Sequence, residues 1–327
     1  LYWLLPVIVG YSFIELVSAK LQLEERYKAL ALWRMMPQLA RLLLVLLVVS
    51  GATGQVNSET IAIVYAAVAF VMINAGFMQL RSMAQGQFAL KGHLKPSDAE
   101  NIFQTKVTST VRVSDVARQT WLFALTSLFY LVYFQSPIIL LKYLASDQAA
   151  GIYNVAVTIM AAVYLLPAAI YQQYLLPKFH RWANYNRSRF LEVYRAGNGG
   201  MLLLGVFASG AILLLTPWVI PLLFGKAYQE AVSLLAILAL CAPVRFLAIS
   251  TGATLVTQQH MRLKVLYMGM AAVINVLLSI LTIPVYGAQG AAVSTLLSEI
   301  MLLTLYLLAV RKHVFGSDAW RGWSLMQ

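Results

Sequence analysis

Apolar residues in this sequence are gathered into separate blocks of about 20 residues, and these blocks limit the possible folds more than any other feature. A helix of about 20 apolar residues is long enough to cross the hydrocarbon core of a bilayer. The chain is 61% hydrophobic and 11% charged, whereas about a quarter of the residues of a soluble domain are charged. We therefore predict an all-α, polytopic membrane protein. The nine predicted spans are residues 1–19, 29–50, 60–80, 119–142, 150–175, 198–224, 230–256, 264–285 and 289–310.

Lysine and arginine residues are distributed unevenly among the loops that connect these spans. Alternate loops contain almost all of them, at residues 20–28, 81–118, 178–195, 262–264 and 311–321. The intervening loops, at residues 51–59, 146–149, 225–229 and 286–287, contain only Lys226. Because loops rich in lysine and arginine remain on the cytoplasmic side of a membrane, we predict a cytoplasmic C-terminus.

Part of the sequence repeats without gaps. The pattern Q-x-x-x-R-x-K begins at Gln22 and again at Gln258, an offset of 236 residues, and the pattern G-A-x-G begins at Gly51 and again at Gly287. Both copies contain a basic turn, a span and a glycine-rich turn in the same order, six spans apart. This arrangement predicts two pseudo-symmetric helical lobes related by an axis along the membrane normal.

The repeat also predicts how the chain is divided. If residues 1–80 correspond to the last three spans, then the helices at 119–224 have no partners in the first lobe. About three further helices are therefore expected before Leu1, so that about nine spans of about twelve are present. The predicted parts are the end of an N-lobe (1–80), a cytoplasmic linker (81–118), a six-helix C-lobe (119–311) and a cytoplasmic tail (312–327).

Three stretches of the sequence resemble a known family. The stretch from Ile274 to Glu299, INVLLSILTIPVYGAQGAAVSTLLSE, is similar to the late helices of the polysaccharide (Wzx-type) flippases of the multidrug/oligosaccharidyl-lipid/polysaccharide exporter superfamily. The stretches FQSPIIL at Phe134–Leu140 and AGIYNVA at Ala150–Ala156 resemble the seventh and eighth helices of that family. One difference is Ser136, where relatives often have an acidic residue.

The resemblance implies two six-helix lobes around a central cavity that opens alternately to each side of the bacterial cytoplasmic membrane. The implied cargo is an undecaprenyl-pyrophosphate-linked oligosaccharide. We expect a monomer without a cofactor, whose partners are this lipid-linked substrate, the bilayer and other membrane proteins of polysaccharide assembly. Within the same fold, a multidrug exporter or a peptidoglycan-precursor exporter is an alternative.

Ionisable residues inside the spans are the candidate site residues, because each costs about 2.5 to 3.5 kcal/mol on membrane insertion. Arg41 and Arg245 lie nearest the middle of their spans. Both are predicted to line the cavity and bind pyrophosphate oxygens, and for Arg245 an ion pair with Glu299 is an equal alternative. Arg34 is a further cavity candidate, but it and Glu15 lie nearer the ends of their spans, where a long side chain can reach the interface.

Three more polar residues of the spans have two interpretations each. Glu299 could be a protonation site that couples transport to a proton gradient, or it could pair with Arg245. Asn275 and Gln135 could contact sugar hydroxyls, or could form hydrogen bonds between helices. No metal-ligand spacing, nucleophile triad or nucleotide-binding motif is recognised, so the sequence does not predict an enzyme.

The loop from Lys178 to Arg195 alternates basic and aromatic residues. Such a loop beside a membrane span indicates anchoring at an anionic lipid surface rather than binding of nucleic acid. A membrane-embedded polysaccharide polymerase is a weaker alternative function. Such an enzyme would be expected to have a large external loop, and every external loop predicted here is short.

Overall fold

The computed structural model of the chain describes residues 2–51, 57–85, 113–257, 260–320 and 323. It is 94% helical, and its described residues contain no strand. The chain divides into unit 1, Leu1–Thr110, and unit 2, Val111–Gln327. The predicted all-α class is confirmed. The arrangement of the two units as pseudo-symmetric lobes stays a prediction.

The described part of unit 1 contains three long helices. They are α1 (Leu5–Leu23), α2 (Tyr27–Gly51) and α3 (Ser58–Ala84), preceded by a 3₁₀ turn at Tyr2–Leu4. Helix α1 packs closely along α3, since a Cβ atom added at Gly10 would lie only 2.9 Å from Cβ of Ala69. Small residues of this kind let apolar helices approach each other. Lys20 of α1 also donates a hydrogen bond of 3.0 Å to the carbonyl oxygen of Gln79 in α3.

The described residues of unit 2 form seven helices and several short turns. The helices are α4 (Val113–Leu144), α5 (Asp147–Ala168), α6 (Leu176–Tyr185), α7 (Arg187–Leu223), α8 (Ala231–Ala239), α9 (Cys241–Thr257) and α10 (Met261–Val310). The turns are π-helical at Ala169–Leu175 and Arg311–Phe315, and 3₁₀ at Lys226–Tyr228 and Gly316–Trp320.

Helix α10 is two helices joined at Gly287. A straight helix of 50 residues would be about 75 Å long, but Gly287 has a φ of 56° and interrupts it. Oγ1 of Thr282 lies 2.8 Å from Oγ of Ser294, although residues twelve apart in a straight helix are about 18 Å apart. The chain therefore reverses at Gly287, and the two arms of α10 lie side by side.

Helices α8 and α9 form a bent pair with an angle of 43°. Pro243, near the start of α9, has no N–H group to donate to the carbonyl of Ala239, and this accounts for a break at that point. Among the described residues, seven helices are long and apolar enough to cross a membrane, or eight if the bent pair is one span. This count treats the two arms of α10 as one helix, so the number of nine spans stays a prediction.

Two pairs of helix boundaries have the offset of the predicted repeat, while the repeat of whole lobes stays a prediction. Helix α1 begins at Leu5 and α9 begins at Cys241, while α2 ends at Gly51 and the first arm of α10 ends at Gly287. Both pairs of positions are 236 residues apart. Most of the predicted linker, residues 86–112, lies outside the described residues, as does part of the predicted tail.

The described part of the tail packs against unit 2. Arg187 in α7 donates a hydrogen bond to the carbonyl oxygen of Val314, and Nη2 of Arg195 donates one of 3.0 Å to the carbonyl oxygen of Asp318. The ring of Phe315 lies 5.1 Å from that of Phe190. The start of the tail is therefore a folded part of unit 2.

Candidate functional site

Arg245 and Glu299 form an ion pair inside unit 2. Nη1 of Arg245, on α9, lies 3.1 Å from Oε1 of Glu299, on the second arm of α10. Their side chains are only 7% and 1% exposed. The structure thus contains the predicted ion pair of Arg245, and the binding of pyrophosphate by Arg245 stays a prediction.

Aromatic rings surround the guanidinium group of this pair. Its Cζ atom lies 5.0 Å from the ring centre of Phe134, 5.1 Å from that of Tyr130 and 5.9 Å from that of Tyr164. Cation–π contacts of this kind stabilise a cation most when water is excluded. The rings on α4 and α5 therefore offset part of the cost of burying the positive charge of Arg245.

A cavity of about 140 Å³ lies on the Arg245 side of the pair. The side chains of Arg245 and Lys264 both line it, and none of its described lining residues is a carboxylate. Nε of Arg245 is buried and has no hydrogen-bond partner. The other polar and aromatic residues that line this cavity are Thr126, Tyr130, Tyr171, Gln172 and Tyr306.

Sequence reasoning missed Lys264 as a site residue, because it stands at the start of a predicted span and was counted as a loop cation. Helical spacing could have identified the cavity. Arg245, Ala248, Gly252 and Val256 recur at intervals of three and four residues, so they share one face of α9. Small side chains on the same helix face as a buried arginine leave room beside that arginine.

A smaller cavity of about 20 Å³ lies on the Glu299 side of the pair. Tyr133 and Tyr153 line it, and both bond to Thr295: Tyr133 donates to the carbonyl oxygen at 3.2 Å, and the Tyr153 hydroxyl lies 2.9 Å from Oγ1. These bonds hold α4 and α5 against the second arm of α10. The interpretation of Glu299 as a proton-coupling residue stays a prediction.

Arg41 has a different environment, in unit 1. It lies at the middle of α2, and its Cζ atom lies 4.9 Å from the ring centre of Tyr65 in α3. Its Nε atom is buried without a hydrogen-bond partner. Within the described part of the chain, no carboxylate pairs with it.

Arg34 is partnered within unit 1. Nη2 of Arg34 lies 3.4 Å from Oε2 of Glu15, and Nε donates a hydrogen bond of 3.3 Å to Oγ of Ser18. The two charged side chains are 35% and 48% exposed. The charge of Arg34 is therefore already compensated by a neighbour on α1.

The two amide candidates lie in opposite environments within unit 2. Asn275 is fully buried on the first arm of α10, and neither polar atom of its amide has a hydrogen-bond partner. Ser279, one turn further on, is also fully buried with an unpartnered hydroxyl. Gln135 is exposed. Among the described residues, no hydrogen bond between helices is seen for Asn275 or Gln135, and their contact with sugar hydroxyls stays a prediction.

Two histidines meet at the end of unit 2 where α10 begins. The ring centres of His260 and His313 are 5.3 Å apart. Burial and the neighbouring His313 lower the pKa of His260, which precedes the first residue of α10. His260 is therefore neutral at neutral pH and becomes protonated only at a lower pH than a free histidine.

No protein-family model, no curated protein and no solved structure matches this chain. The class that the fold defines is a bundle of helices long and apolar enough to cross a membrane, with charged side chains inside it.

Proposed function

We propose that this chain belongs to a multi-pass transporter of the bacterial cytoplasmic membrane, which moves a pyrophosphate-linked, lipid-anchored oligosaccharide to the outer leaflet by alternating access. Support comes from the apolar helices of both units and from the resemblance to polysaccharide flippases. Two pseudo-symmetric lobes and a cytoplasmic C-terminus are part of this proposal.

Arg41 is the single observation that carries the proposal. It stands at the middle of a helix of 25 residues that is long and apolar enough to cross a membrane. Nε of Arg41 is unpartnered, and among the described residues there is no carboxylate to neutralise the guanidinium. A charge in such a place is costly, and membrane proteins retain such charges mainly at substrate or ion pathways.

The chemistry of arginine favours a phosphate-bearing substrate. A guanidinium group can donate two parallel hydrogen bonds to the oxygens of one phosphate group. The ring of Tyr65 supports one face of Arg41 and leaves the edge of the guanidinium for such bonds. A cationic drug would be repelled by this charge, so the pyrophosphate of a lipid-linked sugar is the preferred ligand over the substrate of a multidrug exporter.

Complementation tests this proposal. The complete coding sequence is expressed in bacterial strains that each lack one flippase, either for surface polysaccharide or for peptidoglycan precursor. We expect surface polysaccharide to return, to be lost with Arg41→Ala and to return in part with Arg41→Lys, which keeps the charge but not the paired geometry. Arg34→Ala is the matched control, because that charge already has a partner.

Two results would contradict the proposal. Rescue only of the strain that lacks the peptidoglycan-precursor flippase would transfer the assignment to that substrate. Normal surface polysaccharide with Arg41→Ala would show that transport does not need the arginine on which the proposal rests.

A further inference from the structure

Two basic side chains, Arg245 and Lys264, border the cavity beside the ion pair of unit 2. Its walls come from α4, α6, α9 and both arms of α10, together with the π-helical turn at Ala169–Leu175. A π-helical turn inside a helix often marks a functional site. The described lining residues of the cavity thus come from six segments of one unit.

The charges around this cavity do not balance. Arg245 is neutralised by Glu299, whose carboxylate lines the smaller cavity on the other side of the pair. Lys264 brings a second positive charge to the larger cavity, and within the described residues no carboxylate pairs with it. Arg245, Glu299 and Lys264 together therefore leave one uncompensated positive charge, which a single negative charge would neutralise.

Arg245, which lines the cavity, also has a hydrogen-bond donor without a partner. Arg245 bonds to Glu299 through Nη1, while its Nε is buried without a partner. A buried donor without a partner costs about 1 to 3 kcal/mol, so Arg245 gains from any acceptor that reaches it. A group with several oxygens can accept bonds from the guanidinium group of Arg245 and from the ammonium group of Lys264 at once.

The size of the cavity limits the ligand. A water molecule needs about 10 to 15 Å³ by this measure, so about 140 Å³ admits one tetrahedral oxyanion with some waters but not an oligosaccharide. A Cβ atom added at Gly252 would lie 3.0 Å from the ring of Tyr306 and 3.7 Å from Cε of Lys264. The absence of a side chain at Gly252 thus keeps space open next to the ammonium group.

We propose that this cavity is a binding site for one phosphate-type monoanion, held between Arg245 and Lys264. Its source is either free phosphate or the phosphate of a lipid headgroup. The site goes beyond the proposed transport function and does not depend on it, because Arg41 in unit 1 is no part of it.

Ligand-induced stabilisation of the purified, full-length protein in detergent tests the site. Cys241 is the only cysteine and is fully buried, so a thiol-reactive fluorogenic dye reports thermal unfolding. We expect sodium phosphate to raise the unfolding midpoint by about 3 to 5 °C for each tenfold increase above its Kd. Sodium chloride of equal ionic strength should not produce this rise. In a second arm, micelles of a phosphate-free detergent with phosphatidate are compared with the same micelles without it.

Variants of one helix separate binding from folding. Lys264→Met should abolish the response to phosphate and raise the midpoint of the ligand-free protein, because it removes an uncompensated charge. Arg262→Gln is the matched control, since it removes a positive charge from the same turn of α10 but does not line the cavity. Gly252→Ala should weaken the response by narrowing the space beside Lys264.

The results distinguish the two sources and the alternatives. A rise with phosphate alone identifies a free anion, and a rise with phosphatidate alone identifies a lipid headgroup. An equal rise with sodium chloride, no rise with either ligand, or an unchanged response in Lys264→Met would each overturn the site. Anion binding without rescue of surface polysaccharide would contradict the proposed transport function and leave the site intact.

Discussion

Arg41 in unit 1 and Arg245 in unit 2 are the same residue type near the middle of apolar helices, but their surroundings differ. Arg245 has a carboxylate at 3.1 Å and three aromatic rings within 6 Å. Arg41 has one ring at 4.9 Å, and no carboxylate pairs with it among the described residues. The difference teaches that depth in a span does not by itself assign a role: the charge of Arg245 is balanced by a carboxylate within the fold, whereas that of Arg41 has no such partner among the described residues.

Breaking the ion pair of unit 2 should have the largest effect. Replacing either partner alone, in Arg245→Met or Glu299→Leu, leaves a buried group uncompensated and should cost about 3 to 5 kcal/mol of stability. Replacing both by apolar residues, in Arg245→Met with Glu299→Leu, should recover most of this loss. The measurement is the amount of folded protein and its unfolding midpoint in the four members of the cycle.

Additive losses in the double variant would contradict the assignment of this pair to folding. Single variants as stable as the wild type would contradict it too, because the charges would then be solvated or otherwise compensated.

The helix that carries Arg245 should be sensitive to packing at Gly205. A Cβ atom at this position of α7 would lie 2.5 Å from Cα of Pro243, two residues before Arg245. Gly205→Ala should therefore displace α9 and cost about 1 to 3 kcal/mol. Gly210→Ala, on the same helix with no atom near the added group, is the control and should be neutral or slightly stabilising. Equal unfolding midpoints in the two variants would contradict the close contact of α7 with α9.

Removing the arginine of unit 1 should change stability least among the charged residues of the spans. Arg41→Ala loses one cation–π contact, which contributes about 0.5 to 1 kcal/mol at a partly exposed site. Arg34→Ala loses a half-exposed ion pair and should also cost less than about 1 kcal/mol. The unfolding midpoints of the two variants, each compared with that of the wild type, measure these losses. A loss with Arg41→Ala as large as that with Arg245→Met would make both arginines structural.

Acidification should produce a small loss of stability through His260. Its pKa is lowered in the folded protein by burial and by His313, so the unfolded chain binds a proton first as the pH falls below about 6.5. Stability is therefore lost between this value and the lower folded pKa. Unfolding midpoints measured across this range should fall in the wild type and fall less in His260→Gln. Part of the dependence should remain, because burial also lowers the pKa of His180. An identical pH dependence in the variant would contradict the lowered pKa.

The sequence predicts the helices of this molecule better than its site. Blocks of apolar residues locate the helices because length and hydrophobicity are local properties, and Gly287 marks a turn because glycine adopts a positive φ readily. The pairing of Arg245 with Glu299 was one of two alternatives, since residues 54 apart along the chain meet only through the packing of α9 on α10. Lys264 was not predicted, because it borders the cavity only through the packing of α10 against the face of α9 that carries Arg245. The partners of Arg34 also follow from packing, because Glu15 and Ser18 lie on another helix.

Transport by the reconstituted protein tests the comparison between the two arginines most directly. The complete protein, Arg41→Ala and the double variant Arg245→Met with Glu299→Leu are placed in vesicles, and the movement of a pyrophosphate-linked, lipid-anchored oligosaccharide between leaflets is followed. We predict that the double variant transports like the wild type and that Arg41→Ala is at least about tenfold slower, the effect of one lost bond between a charged group and phosphate. Transport by Arg41→Ala at the wild-type rate, or loss of transport in a folded double variant, would contradict the account.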